Sequence, residues 1–110
     1  MKPISPKNRA VRDSHHRELV LGLPCWNCER EGRQQTTRTQ GHHVHNLRGP
    51  YTRSDYRMIP LDSQCHAHFE NHGRQVAEME IQAAIDTLNL LYGDRADHYI
   101  ALAGLSEEDK

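Results

Sequence analysis

A chain of 110 residues and 12.7 kDa has room for one small domain. Mean hydropathy is −0.89, with 35% hydrophobic and 5% aromatic residues, so the core is lean and a metal or cross-link is expected to brace it. Three cysteines are an odd number, which argues against a pure disulfide framework. No apolar run approaches the roughly 18 residues of a membrane span, and no basic segment leads into an apolar one as in a signal peptide. Neither a membrane protein nor a secreted one is expected. The formal net charge of −1 hides an asymmetry. Residues 1–60 carry 11 Lys/Arg against 5 Asp/Glu, a net of +6, and residues 61–110 carry 3 against 10, a net of −7. A basic half of this kind suits a polyanionic partner.

Residues 1–12 read as a basic, flexible tail. Asp13 or Ser14 can cap a short helix through Leu21, which Gly22 and Pro24 stop. Cys25-Trp26-Asn27-Cys28 follows, then a polar loop in which Thr36–Thr39 favours an extended strand. Gly41–His45 holds three histidines, 46–55 is a loop turning at Gly49-Pro50, and Tyr56–Leu61 is a second extended run. Asp62 or Ser63 caps a helix that begins near Gln64 and that Gly73 ends or interrupts. From Arg74, Ala77, Ile81, Ala84, Ile85, Leu88 and Tyr92 recur at helical spacing, up to Gly93. A last short helix runs to Leu105. The sequence thus divides into the tail, a module at 13–73, and a helical extension at 74–110.

Three constellations carry chemistry. Cys25 and Cys28 have the spacing of a zinc knuckle, and Cys65 adds a third thiolate. A redox role for the Cys-x-x-Cys pair is a weaker alternative. Spacing offers His68 as the fourth zinc ligand. Six of nine histidines fall between positions 42 and 72, while His15, His16 and His98 are expected at the surface. His42 and His43 are neighbours on a strand and point to opposite faces, so one can hold an ion while the other acts as a base. On the helix, His66 and Glu70 share one face and His68 and His72 another, and either pair can complete a divalent-ion site. Arg48, Arg53 and Arg57, interleaved with Tyr51 and Tyr56, suit phosphates and bases.

The ordered set Leu23-Pro24-Cys25-x-x-Cys28, Gly41-His42-His43-Val44, Ser54-Asp55-Tyr56-Arg57-Met58-Ile59-Pro60-Leu61 and Cys65-His66 resembles the HNH endonucleases. It is most similar to the phage recombination-enhancement (Ref-type) and related small phage HNH nucleases, over roughly residues 13–73. The resemblance implies an α+β fold: a small ββα-metal (His-Me finger) core with a zinc knuckle, flanked by an N-terminal helix and C-terminal helices. It implies His43 as general base, His42 and His66 as ligands of a catalytic Mg²⁺ or Mn²⁺, and Asp55 near the place of the family's middle Asn. Where the family places a zinc cysteine, this chain has Asp62, which can itself ligate structural zinc. Where the family places a second helix histidine, it has Glu70, a hard oxygen donor, with His72 available in a shifted register. The implied activity is metal-dependent hydrolysis of DNA in a bacterial host's cytoplasm, with a recombination protein as a further candidate partner. The alternative is a catalytically degenerate zinc module that binds DNA or protein.

Overall fold

The computed structural model describes residues 12–44 and 54–105. In chain order it has helix α1 (Ser14–Leu21), helix α2 (Trp26–Glu31), strand β1 (Gln40–His43), a single 3-10 turn (Asp55–Arg57), strand β2 (Met58–Leu61), helix α3 (Ser63–Asn71), helix α4 (Ala77–Tyr92), a second 3-10 turn (Gly93–Arg95) and helix α5 (Ala96–Leu102). Asp13 caps α1, its carboxylate accepting from the His16 N–H at 3.0 Å. Asp62 caps α3 in the same way, accepting from the Cys65 N–H at 2.9 Å.

Three segments differ from the sequence reading. The extended run at Tyr56–Leu61 starts only at Met58, because Tyr56 and Arg57 belong to the 3-10 turn. The knuckle continues into a helix instead of a loop: the Cys25 sulfur accepts from the Cys28 N–H, and Gly32 closes α2 at φ 69°, a conformation that favours glycine. Thr36–Thr39 is not a strand, and Thr37 and Thr39 are held by local bonds to Gln35, Leu23 and Ser63 instead of by a ladder. Gln35 accepts from the Cys25 N–H at 2.7 Å and donates to the Thr37 carbonyl and the Thr39 hydroxyl. Thr39 in turn donates to the Leu23 carbonyl at 2.6 Å, and the Ser63 N–H donates to Thr37 at 2.8 Å.

Strands β1 and β2 pair antiparallel in the register Gln40↔Leu61, Gly41↔Pro60, His42↔Ile59 and His43↔Met58. Pro60 is tolerated because β2 has a single strand neighbour in this sheet. All four β2 residues are buried, so the strand is covered on both faces. A four-residue ribbon is too small to stand alone. Its cover is Phe69 of α3 and Ala83, Ala84 and Leu88 of α4, which share one core cluster with Ile59, Leu61 and the three cysteines. The core therefore draws residues from both sides of position 74. The Trp26 indole N–H also reaches Asp86 at 3.0 Å, tying α2 to α4. Among the described residues no helix is long and apolar enough to cross a membrane.

His16 is a correction: it is fully buried, not at the surface. Its ring sits between Tyr56 and Tyr92, and its Nδ1 meets the Tyr92 hydroxyl at 2.6 Å. Burial pushes its pKa below the ordinary 6.5, against the opposing pull of Asp13 and Asp55. The unfolded chain thus takes up a proton below pH 6.5 that the folded chain refuses. The neutral ring's contribution is fully present above that pH and is lost as the pH falls toward the depressed folded value. Denaturant unfolding at pH 7.5 and 5.5 should show the wild type losing more stability on acidification than His16→Phe. Parallel losses would contradict this account.

Candidate functional site

Two clusters of metal-ligating atoms each draw residues from α3 or its cap. Cys25, Cys28, Asp62 and Cys65 are all buried, and their ligand atoms lie within 4.8 Å of one another. Cys25 and Cys28 come from the start of α2, Asp62 from the turn between β2 and α3, and Cys65 from the first turn of α3. Cys28 Sγ stands 3.4 Å from Asp62 Oδ2 and 3.9 Å from Cys65 Sγ. A tetrahedral zinc with sulfur at about 2.3 Å and carboxylate oxygen at about 2.0 Å sets such edges at about 3.5 Å and about 3.8 Å. The donor set therefore fits zinc. Asp62 serves twice, with Oδ1 capping α3 and Oδ2 facing Cys28.

Electrostatics agree with a cation site. Burial pushes the thiols of Cys28 and Cys65 up. Burial also works against ionised Asp62, yet the N–H of Cys65 and the neighbouring sulfur contacts outweigh it and hold the carboxyl below its ordinary value. A divalent cation reverses the thiol shift, because a coordinating thiol ionises. Two donors already face the Cys65 sulfur at 3.4 Å each, Asn27 Nδ2 and Arg33 Nη2, and both stabilise a thiolate. The sequence reading missed both.

The second cluster is His42, His66 and Glu70. Strand alternation sends the two neighbouring histidines of β1 different ways. His42 is buried and reaches α3 and α4, with Nδ1 3.3 Å from Glu70 Oε1 and Nε2 2.5 Å from Glu80 Oε2. His66 Nε2 lies 3.4 Å from the same Glu70 oxygen, one helical turn away. Ligands at about 2.1 Å from a common ion stand about 3.0 Å apart in an octahedron and about 3.4 Å apart in a tetrahedron. The spacing thus fits a divalent ion. The Glu70 side chain keeps 49% of its exposure, so the cluster opens to solvent on that side.

His43 turns the other way. Its Nε2 donates to Asp55 Oδ1 at 3.1 Å, and its side chain stays 30% exposed. Asp55 is buried and its second oxygen accepts from the Asp13 N–H at 2.8 Å, so the start of α1 fixes the carboxylate that fixes His43.

Other candidates are placed elsewhere. His68 is exposed and lies against His72 in a tilted ring pair with centroids 4.5 Å apart, outside the thiol cluster. His72 ends α3 and bonds Gln75, outside the second cluster. His68 stands one turn after Cys65 yet is exposed, and His72 is the C-cap that ends α3. Arg57 is not a phosphate contact: it is 1% exposed, and its Nε donates to the Ala103 carbonyl at 2.6 Å, tying the turn before β2 to the residue after α5. Tyr56 is not a stacking platform, being buried with its hydroxyl donating to Asp13 at 2.6 Å. Arg48, Tyr51 and Arg53 lie outside the described residues.

Glu80 is the acid that the sequence reading overlooked. Its signal was a charge on the buried stripe of α4, one turn before Ala84 and one after Val76.

Compared with family models, curated proteins and solved structures, the chain has no match.

Metal analysis of purified protein should find one zinc per chain. Cys28→Ala should lose it and cost about 3 kcal/mol or more of unfolding free energy. His68→Ala should keep the full equivalent, and loss of zinc from that variant would move the fourth ligand from Asp62 to His68.

Proposed function

We propose that the chain is a metal-dependent DNA endonuclease of the HNH type, with a ββα-metal core braced by zinc. The observation that carries this reading is the division of labour on β1. Adjacent histidines serve two separate constellations, His42 with the α3 donors His66 and Glu70, His43 with the carboxylate of Asp55. Hydrolysis of a phosphodiester needs that pairing of an ion site and a base next to each other.

His43 is the general base. Asp55 accepts its Nε2 proton and thereby leaves Nδ1 with a lone pair for a proton taken from water. The carboxylate also stabilises the imidazolium formed in that step. His42, His66 and Glu70 hold a Mg²⁺ or Mn²⁺ ion. When bound, that ion supplies charge neutralisation at the scissile phosphate and the leaving oxygen. The zinc cluster has no part in the chemistry, and it fixes α2 against α3 so that His66 and Glu70 face β1. Arg48 and Arg53 are the remaining candidates for phosphate contacts, without reading sequence. In this reading the protein is phage- or prophage-encoded and acts in the host cytoplasm, with DNA as substrate and a recombination protein as a candidate partner.

Supercoiled plasmid incubated with zinc-loaded protein and Mn²⁺ or Mg²⁺ tests the reading. Wild type should nick and linearise it, and His43→Ala should slow cleavage by about 100-fold or more. Equal rates for the two proteins would overturn the assignment. Bound zinc without cleavage under any divalent ion would leave the degenerate binding module.

A further inference from the structure

We propose that Glu80 is a positioning residue that sets the tautomer of His42 and so creates the second ion site. The inference rests on the reading of His42, His66 and Glu70 as ion ligands. Glu80 stands on α4, outside the stretch that carries the resemblance, and both it and His42 are 1% exposed. Its Oε2 lies 2.5 Å from His42 Nε2. Both facing carboxylates only accept, but Glu80 is buried and 2.5 Å away whereas Glu70 is half-exposed and 3.3 Å away, so the single proton of the neutral ring goes to Nε2 and the Nδ1 lone pair turns toward Glu70. His66 repeats the device, with Nδ1 2.7 Å from Gln40 Oε1, an acceptor that leaves Nε2 with the lone pair.

Three lone-pair carriers, His42 Nδ1, His66 Nε2 and Glu70 Oε1, then converge at 3.3 and 3.4 Å. Facing lone pairs repel unless a cation lies between them. Carboxylate–histidine–metal triads use this logic: the outer carboxylate fixes the ring and raises its basicity. Glu80 is the stronger of the two outer groups because it is charged and buried, whereas the Gln40–His66 contact is exposed. The helix that reads as a mere extension thereby completes the ion site.

The test uses the full chain loaded with zinc. Ring ¹⁵N shifts of His42, read without added Mn²⁺, should report the Nε2–H tautomer. Calorimetric titration with Mn²⁺ should show binding weakened about 10- to 100-fold in Glu80→Met, with partial recovery in Glu80→Gln, which keeps an acceptor. A wild-type His42 protonated on Nδ1 overturns the proposal, and so does a folded Glu80→Met that binds Mn²⁺ as tightly as wild type. If Glu80→Met fails to fold, the wild-type tautomer and the Glu80→Gln affinity decide. Plasmid cleavage separates the two readings. No nicking by a wild type that binds Mn²⁺ through Nε2–H His42 removes the nuclease and supports Glu80. Nicking combined with an unchanged affinity in Glu80→Met removes Glu80 and keeps the nuclease.

Discussion

The structure depends on a carboxylate and three sulfurs buried together where α2, the end of β2 and the start of α3 meet. Unpaired, a carboxylate in such a place is costly, and thiols there resist ionisation. A cation removes both penalties at once. The apolar part of the core is small: one Phe, two short strands and a few alanines. In a chain this lean, the sulfur cluster does the joining that a larger core would do with leucines. Everything downstream inherits its position, because the residue after Cys65 is His66.

The three cysteines were legible because their chemistry is local and unusual. Asp62 was legible as a helix cap, and its second task came only through the resemblance. Glu70 was legible because it stands four residues after His66. Glu80 was not, since a glutamate in an amphipathic helix reads as solvated until the packing partner is known, and that partner is 38 residues away. Arg57 and Tyr56 misled for the same reason. A basic and aromatic loop reads as a phosphate surface, yet Arg57 is bound by a carbonyl 46 residues later and Tyr56 by a carboxylate 43 residues earlier. Helix α2 was hidden because its cap is a sulfur, which propensity rules do not count. Thr36–Thr39 reads as a strand but is none, because β-branched residues favour strands only when a neighbour offers a ladder.

Buried polar groups, alongside apolar packing, join the outer helices to the sheet and the turn before it. Asp13 reaches both Asp55 and Tyr56, Arg57 reaches the turn after α5, and Glu80 reaches His42. Each link is specific in direction, as hydrogen bonds to charged groups are. Helices α1, α4 and α5 are therefore oriented relative to the two histidines of β1, and not simply packed nearby. The price of this arrangement is a core that tolerates loss of any one partner poorly, since the other is left buried and unpaired.

The first two turns of α3 carry a consequence for sequence length. Asp62, Cys65, His66 and Glu70 belong to two different clusters, and the angle between those clusters is set by the helical phase of their positions. One inserted or deleted residue rotates everything after it by about 100°. Gln64, Ala67 and Asn71 face solvent and are open to exchange. The count between Asp62 and Glu70 is not. Variation in this segment is thus confined to substitution, and the spacing itself becomes the most diagnostic signature of the protein.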